Sequence, residues 1–116
     1  MSGLISYLAG VSAEKQVAAL YAGKGMDIAA RRWRGKGGEI DIVARDGARL
    51  VFIEVKKSRN HARAAERLSP RQIARLYDAA SEYMAAFCDA AVDARFDVAL
   101  VDGAGRIKIV ENALVA

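Results

Sequence analysis

Residues 39–57 read EIDIVARDGARLVFIEVKK, and this stretch decides the fold. Glu39 to Arg45 and Ala48 to Lys57 are two runs rich in β-branched and aromatic residues, joined at Asp46-Gly47. An Asp-Gly pair between two such runs marks a hairpin, because a type I′ turn needs positive φ at both central positions. Side chains alternate along a strand, so Glu54 and Lys56 share a face with Leu50 and Phe52. With Asp46-Gly47 as a two-residue loop, Asp41 pairs opposite Phe52 and is a diagonal neighbour of Glu54, at roughly 7–8 Å between Cα atoms. Glu39 then falls directly opposite Glu54. One face of the hairpin is apolar near the turn and acidic at its far end.

Outward from the hairpin, Ser12 is placed to cap a helix over Ala13 to Ala22, with Ala13, Val17, Leu20 and Tyr21 at helical spacing. Met26 to Arg32 reads as a short strand and Gly35 to Gly38 as a flexible basic loop. Asn60 to Leu68 is basic and irregular. Ser69-Pro70 opens a second helix, whose apolar stripe is Ile73, Leu76, Tyr77, Ala80, Met84 and Phe87, with Arg71 and Arg75 on the other face. Ser69 and Gln72 fit a capping box. Asp89 to Ala94 reads as a loop. Arg95 to Val101 alternates as a strand, residues 102–105 turn, and Arg106 to Val110 is a last strand. The pattern predicts an α/β fold: a mixed sheet flanked by helices, with the third and fourth strands parallel because a helix crosses between them.

A chain of 116 residues with 53% hydrophobic content and 28% charge predicts one globular domain rather than a disordered segment. A single cysteine, Cys88, has no partner for an internal disulfide and fits a reducing compartment. The apolar start, Met1 to Gly10, lacks the basic residues that open a secretory signal. No run approaches the roughly 20 apolar residues of a membrane span. The expectation is a cytoplasmic protein without a membrane segment.

The net charge of +4 is unevenly spread. Lys56, Lys57, Arg59, Arg63, Arg67, Arg71 and Arg75 face one acid, Glu66, in the same twenty-residue block, and Arg31, Arg32, Arg34 and Lys36 form a second basic patch. Two such patches point to a polyanionic partner such as nucleic acid, or to a plain solvated surface. The acids point to a cation. Carboxylates held close together raise each other's pKa unless a cation lies between them, and a hard ion such as Mg²⁺ takes oxygen ligands. Lys56 beside such a site would orient a water or offset charge on a phosphate. The alternative is an ordinary strand-surface ion pair between Glu54 and Lys56.

Taken together, Gly38-Glu39-Ile40-Asp41-Ile42-Val43 and Val51-Phe52-Ile53-Glu54-Val55-Lys56 resemble the paired motifs of the YraN family, whose members carry an endonuclease label drawn from similarity. That family is similar to Holliday junction resolvases and to the wider PD-(D/E)xK nuclease superfamily. The resemblance covers most of the chain: Ala13-Glu14, Arg34, Gln72 and Arg95-Phe96-Asp97-Val98 also fall at motif positions. It implies a restriction-endonuclease-like sheet and a Mg²⁺- or Mn²⁺-dependent endonuclease acting on DNA, including branched DNA. A non-catalytic nucleic-acid-binding module with the same fold is the other expectation. The resemblance implies that Asp41 and Glu54 hold the metal and that Lys56 positions the water. Glu14 points to the same site from the first helix, unless it only sits favourably in that helix's first turn. Gln72 approaches the site or serves as a cap. Arg31, Arg32, Arg34, Lys36, Lys57, Arg59, Arg71, Gln72 and Arg75 track phosphates. Asp97 is expected in an ion pair with Arg95, and Trp33 over the sheet edge. A homodimer is compatible with this family. Arg32 stands where the family often has asparagine.

Overall fold

The computed structural model describes residues 3–88 and 92–113, with side-chain surroundings from residue 11 onward. The elements are α1 (Gly3–Gly23), β1 (Asp27–Arg34), β2 (Glu39–Asp46), β3 (Arg49–Lys57), α2 (His61–Glu66), α3 (Pro70–Phe87), β4 (Ala94–Val101) and β5 (Ile107–Val110). The strands form one sheet in the order β1-β2-β3-β4-β5. Only the β3–β4 pair is parallel, with Phe52 beside Phe96 and Glu54 beside Val98, and α2 and α3 make the crossover. This is the mixed α/β sheet expected from the pattern.

Helices cover both faces. Ala13, Val17, Ala18 and Tyr21 of α1 pack on Ile42, Ala44, Val51, Ile53, Ala99 and Val101. Leu76, Ala79, Ala80 and Tyr83 of α3, with Ala64 of α2, pack on Ile40, Val43, Leu50, Phe52, Val98 and Leu100. β3 runs between both layers, which is why Leu50 to Ile53 is a continuous apolar run, fully buried. Each such side chain contributes about 1.5–3 kcal/mol by leaving water. Among the described residues, no helix is long and apolar enough to cross a membrane.

Four expectations are corrected. The first helix starts at Gly3, not at Ala13, so Ser12 lies inside it and caps nothing. Glu14 is consequently mid-helix and owes nothing to a first-turn position. The hairpin closes on Gly47-Ala48, because Asp46 pairs with Arg49 in the ladder and their side chains form a 3.0 Å ion pair. Gly47 alone takes positive φ, 62°, so the turn has the glycine-first pattern of type II′ rather than the type I′ that Asp46-Gly47 implied. The partner of each β2 residue therefore moves by two, and faces are preserved because two is the strand period. The basic segment after β3 contains a short helix, α2, capped by the Asn60 side chain on the Arg63 N–H at 2.9 Å. Of the loop expected over Asp89 to Ala94, residues 89–91 lie outside the described residues.

The apolar stripe of α3 is rotated from its expected centre. Leu76, Ala79, Ala80 and Tyr83 are buried, whereas Phe87 is 59% exposed. The capping box is present: the Gln72 N–H donates to Ser69 Oγ at 3.1 Å and the Ser69 N–H to Gln72 Oε1 at 3.4 Å.

Candidate metal and nucleic-acid site

The site begins where the β2–β3 ladder ends. Regular pairing runs from Asp46–Arg49 to Ile42–Ile53, and one step further puts Asp41 across from Glu54. At that step the Val55 N–H donates to Asp41 Oδ2, at 2.7 Å. Ile40 packs in the α3-side layer and Ile42 in the α1-side layer, although residues two apart in a regular strand share a face. The strand therefore rolls over at Asp41, and the acid is fixed at the notch by a main-chain donor.

Across the notch lies β1. Arg31 pairs with Ile42 and Trp33 with Ile40, which leaves Arg32 beside Asp41. Arg32 has φ of 53°, a left-handed conformation that costs a residue with a Cβ of the order of 1 kcal/mol. Trp33 then packs edge-on against Tyr83 at 5.4 Å between centroids, covering the sheet edge as expected.

A cavity of about 310 Å³ opens at the notch, lined by Glu14, Arg32, Glu39, Asp41, Glu54, Lys56, Gln72, Arg75 and Leu76. Asp41 and Glu54 share it, as the nuclease expectation required. Lys56 Nζ lies 3.2 Å from Glu54 Oε1, and Arg32 Nε lies 3.6 Å from Glu14 Oε2. The side chains of Glu14, Glu54 and Lys56 are only 12%, 14% and 15% exposed, so the acids are largely withdrawn from water. Burial first, and then the charge of Asp41, push the Glu54 carboxyl up to about 8 against the pull of Lys56. Burial, and then Asp41 through its charge and a hydrogen bond, push Glu14 up to about 7. Glu14 Oε2 is buried without a hydrogen-bond donor. Asp41 and Glu54 supply an oxygen pair suited to a hard divalent cation. Among the described residues, however, no three Asp, Glu, His or Cys side chains stand at cation-holding spacing.

Of the residues expected to contact nucleic acid, Arg32, Gln72 and Arg75 line the cavity and the others do not. Arg34 is exposed and pairs with Glu39 at 3.4 Å. Arg31, Lys36, Arg59 and Arg71 are exposed, and Lys57 is half-buried at the end of β3. Gln72 therefore caps α3 and lines the cavity at once.

Glu39, read from the sequence as lying opposite Glu54 but given no role, lines the cavity, while the register puts Asp41 across from Glu54. Glu82 of α3 escaped the sequence reading and had no local signal. Its carboxylate accepts the N–H groups of Lys36 and Gly37, both at 2.6 Å. The loop expected to be flexible is thus tied to α3, and Gly38 is pressed so close that a Cβ there would lie 2.6 Å from the Arg75 carbonyl oxygen.

Away from the cavity, Asp97 is fully buried. It accepts from Tyr21 Oη at 2.7 Å, from Arg95 Nε at 2.9 Å and from the Asn112 N–H at 2.9 Å. Its ion pair with Arg95 is structural, as expected, and locks α1 to β4.

The model of the uncharacterised protein family UPF0102 matches residues 13–101, which include α1 from Ala13, the hairpin, α3 and β4. A UPF0102 protein of Cereibacter sphaeroides (strain ATCC 17029) is 57% identical over the whole of both chains. The chain belongs to the UPF0102 family. A second UPF0102 protein, from Ruegeria pomeroyi, is 53% identical over 96% of this chain and 91% of its own. One from Ruegeria sp. TM1040 is 38% identical over 96% and 90%. The YraN-like resemblance read from the motifs stands at the level of UPF0102 membership.

Proposed function

We propose that this UPF0102 chain is a divalent-metal-dependent endonuclease whose substrate is DNA. The observation that carries the proposal is the meeting of Asp41, Glu54 and Lys56 with Glu14 in one cavity rimmed by Arg32 and Arg75. Asp41 and Glu54 would hold one Mg²⁺ or Mn²⁺, which when bound supplies a water of lowered pKa and polarises a phosphoryl oxygen. The chain's own residues do the rest. The Val55 N–H keeps the Asp41 carboxylate aimed at the notch. Lys56, held by Glu54, presents an ammonium to the attacking water and to charge growing on the phosphate. Arg75 on α3 is placed to seat the phosphate backbone without reading bases.

A second reading is a binding module that does not cut. It is favoured by the ion pairs Lys56–Glu54 and Arg32–Glu14, which already neutralise two of the acids. One experiment separates the two. Purified protein is assayed with Mn²⁺ and Mg²⁺ on single-stranded, duplex, flap and four-way-junction DNA, beside Asp41→Asn and Lys56→Ala. An endonuclease yields metal-dependent product that both substitutions abolish while DNA binding persists. Binding without product on any of these substrates favours the module. Affinity is expected to fall steeply as salt rises, since phosphate contacts release counterions.

A further inference from the structure

Two of the cavity's cations, Lys56 and Arg32, are ion-paired with its acids, and they are not equivalent. Lys56 comes from the same strand as Glu54, two residues on, where the strand period already places it. Arg32 gets there at a cost. It holds a left-handed backbone in the middle of β1, between two regular pairs, the only such residue in a strand among the described residues. The register sets it beside Asp41, and its guanidinium turns to Glu14 Oε2 at 3.6 Å. That oxygen is buried and receives no hydrogen bond, so the attraction at this atom is one of charge alone. Glu14 faces an arginine.

The charges can be followed. The cavity is lined by four acids, Glu14, Glu39, Asp41 and Glu54, and three bases, Arg32, Lys56 and Arg75, so with every group ionised its formal charge is −1, and −2 without Arg32. Without Arg32, Asp41 and Glu14 are left as a second pair of oxygen donors in want of a cation.

We propose that the Arg32 guanidinium takes the place of a second divalent cation on the Glu14 side of the notch, making this a one-metal site. The inference rests on the metal-dependent reading above and deepens it. Arg32 acts through Glu14 and is a positioning residue: it sets its positive charge against the acid that borders Asp41. Arg32 lines the cavity wall with its side chain still 40% exposed.

The test counts Mn²⁺ bound per chain, using Mn²⁺ alone and the spin-resonance signal of the free ion, without any nucleic acid. The substitution is Arg32→Asn, since asparagine tolerates positive φ, with Arg32→Gly as a second variant for the same reason. Wild type and Arg32→Lys are expected to bind one Mn²⁺, and Arg32→Asn and Arg32→Gly two. Adding Glu14→Gln to Arg32→Asn is expected to return the count to one. A merely structural arginine would lower thermal stability and leave the count alone. One Mn²⁺ in wild type and in both charge-removing variants overturns the role of Arg32 and leaves the metal reading standing. No Mn²⁺ in any of them overturns both. None in wild type but one in Arg32→Asn overturns the one-metal site, because the arginine would then displace the first ion and not a second.

Discussion

Replacing Glu54 by glutamine isolates the cost of burying an ionised acid at the notch. The Glu54 carboxyl rises from 4.5 to about 8 in the fold, chiefly because burial penalises its charge and next because Asp41 repels it. The folded protein then binds this proton more tightly than the unfolded chain does. Stability from this group is full below about pH 4.5 and is lost as pH climbs toward 8. At ~1.4 kcal/mol per unit, the rise corresponds to about 5 kcal/mol once the acid is fully ionised. Water entering the open cavity screens the charge and reduces this to about 2 kcal/mol. Glutamine has nearly the shape of the protonated acid. Without divalent cations, Glu54→Gln is therefore expected to match wild type at pH 5 and to exceed it by about 2 kcal/mol at pH 8.5. Urea unfolding followed by circular dichroism across that range measures the difference. A gap that stays constant with pH, or a wild type that gains stability on the alkaline side, refutes the reasoning. Adding Mg²⁺ at pH 8.5 is expected to close the gap by stabilising only the chain that keeps both acids.

Three further outcomes follow from single contacts. Tyr21→Phe removes the hydroxyl that donates to the fully buried Asp97, and is expected to cost about 1.5–3 kcal/mol by thermal unfolding. Gly38→Ala sets a methyl group 2.6 Å from the Arg75 carbonyl oxygen, where backbone meets backbone, and is expected to destabilise by about 1–3 kcal/mol. The same change should speed amide exchange at Lys36 and Gly37 by loosening their bonds to Glu82. Ser69→Ala deletes the acceptor that caps α3 and is expected to lose about 1 kcal/mol in denaturant unfolding.

Much of the fold was legible because it is written in short-range patterns. Alternation and the continuous apolar run identified β2 and β3, a proline with its capping serine located α3, and the intervening helix required β3 and β4 to run parallel. Shared faces were legible too, since Glu54 and Lys56 are separated by one strand period. α1 was read too short because its first turns, Gly3 to Gly10, carry glycines and a serine that resemble a loop and lack the periodic charge of a surface helix. The hairpin register was missed by two because local propensity favoured Asp-Gly as the loop, whereas Gly47 is followed by Ala48 in the loop and Asp46 pairs with Arg49 in the ladder.

The sequence by itself determined the kinds of group at the site and the strand carrying each of Asp41, Glu54 and Lys56, because spacing along one chain is a local property. Only the tertiary structure decided that Glu14 reaches them from α1, that β2 rolls over at Asp41, and that Arg32 bends into a left-handed conformation beside it. It alone also pinned the basic loop to Glu82, whose partners lie 45 and 46 residues away. Such meetings depend on how helices settle on opposite faces of the sheet, and burial and charge at the notch follow from that packing.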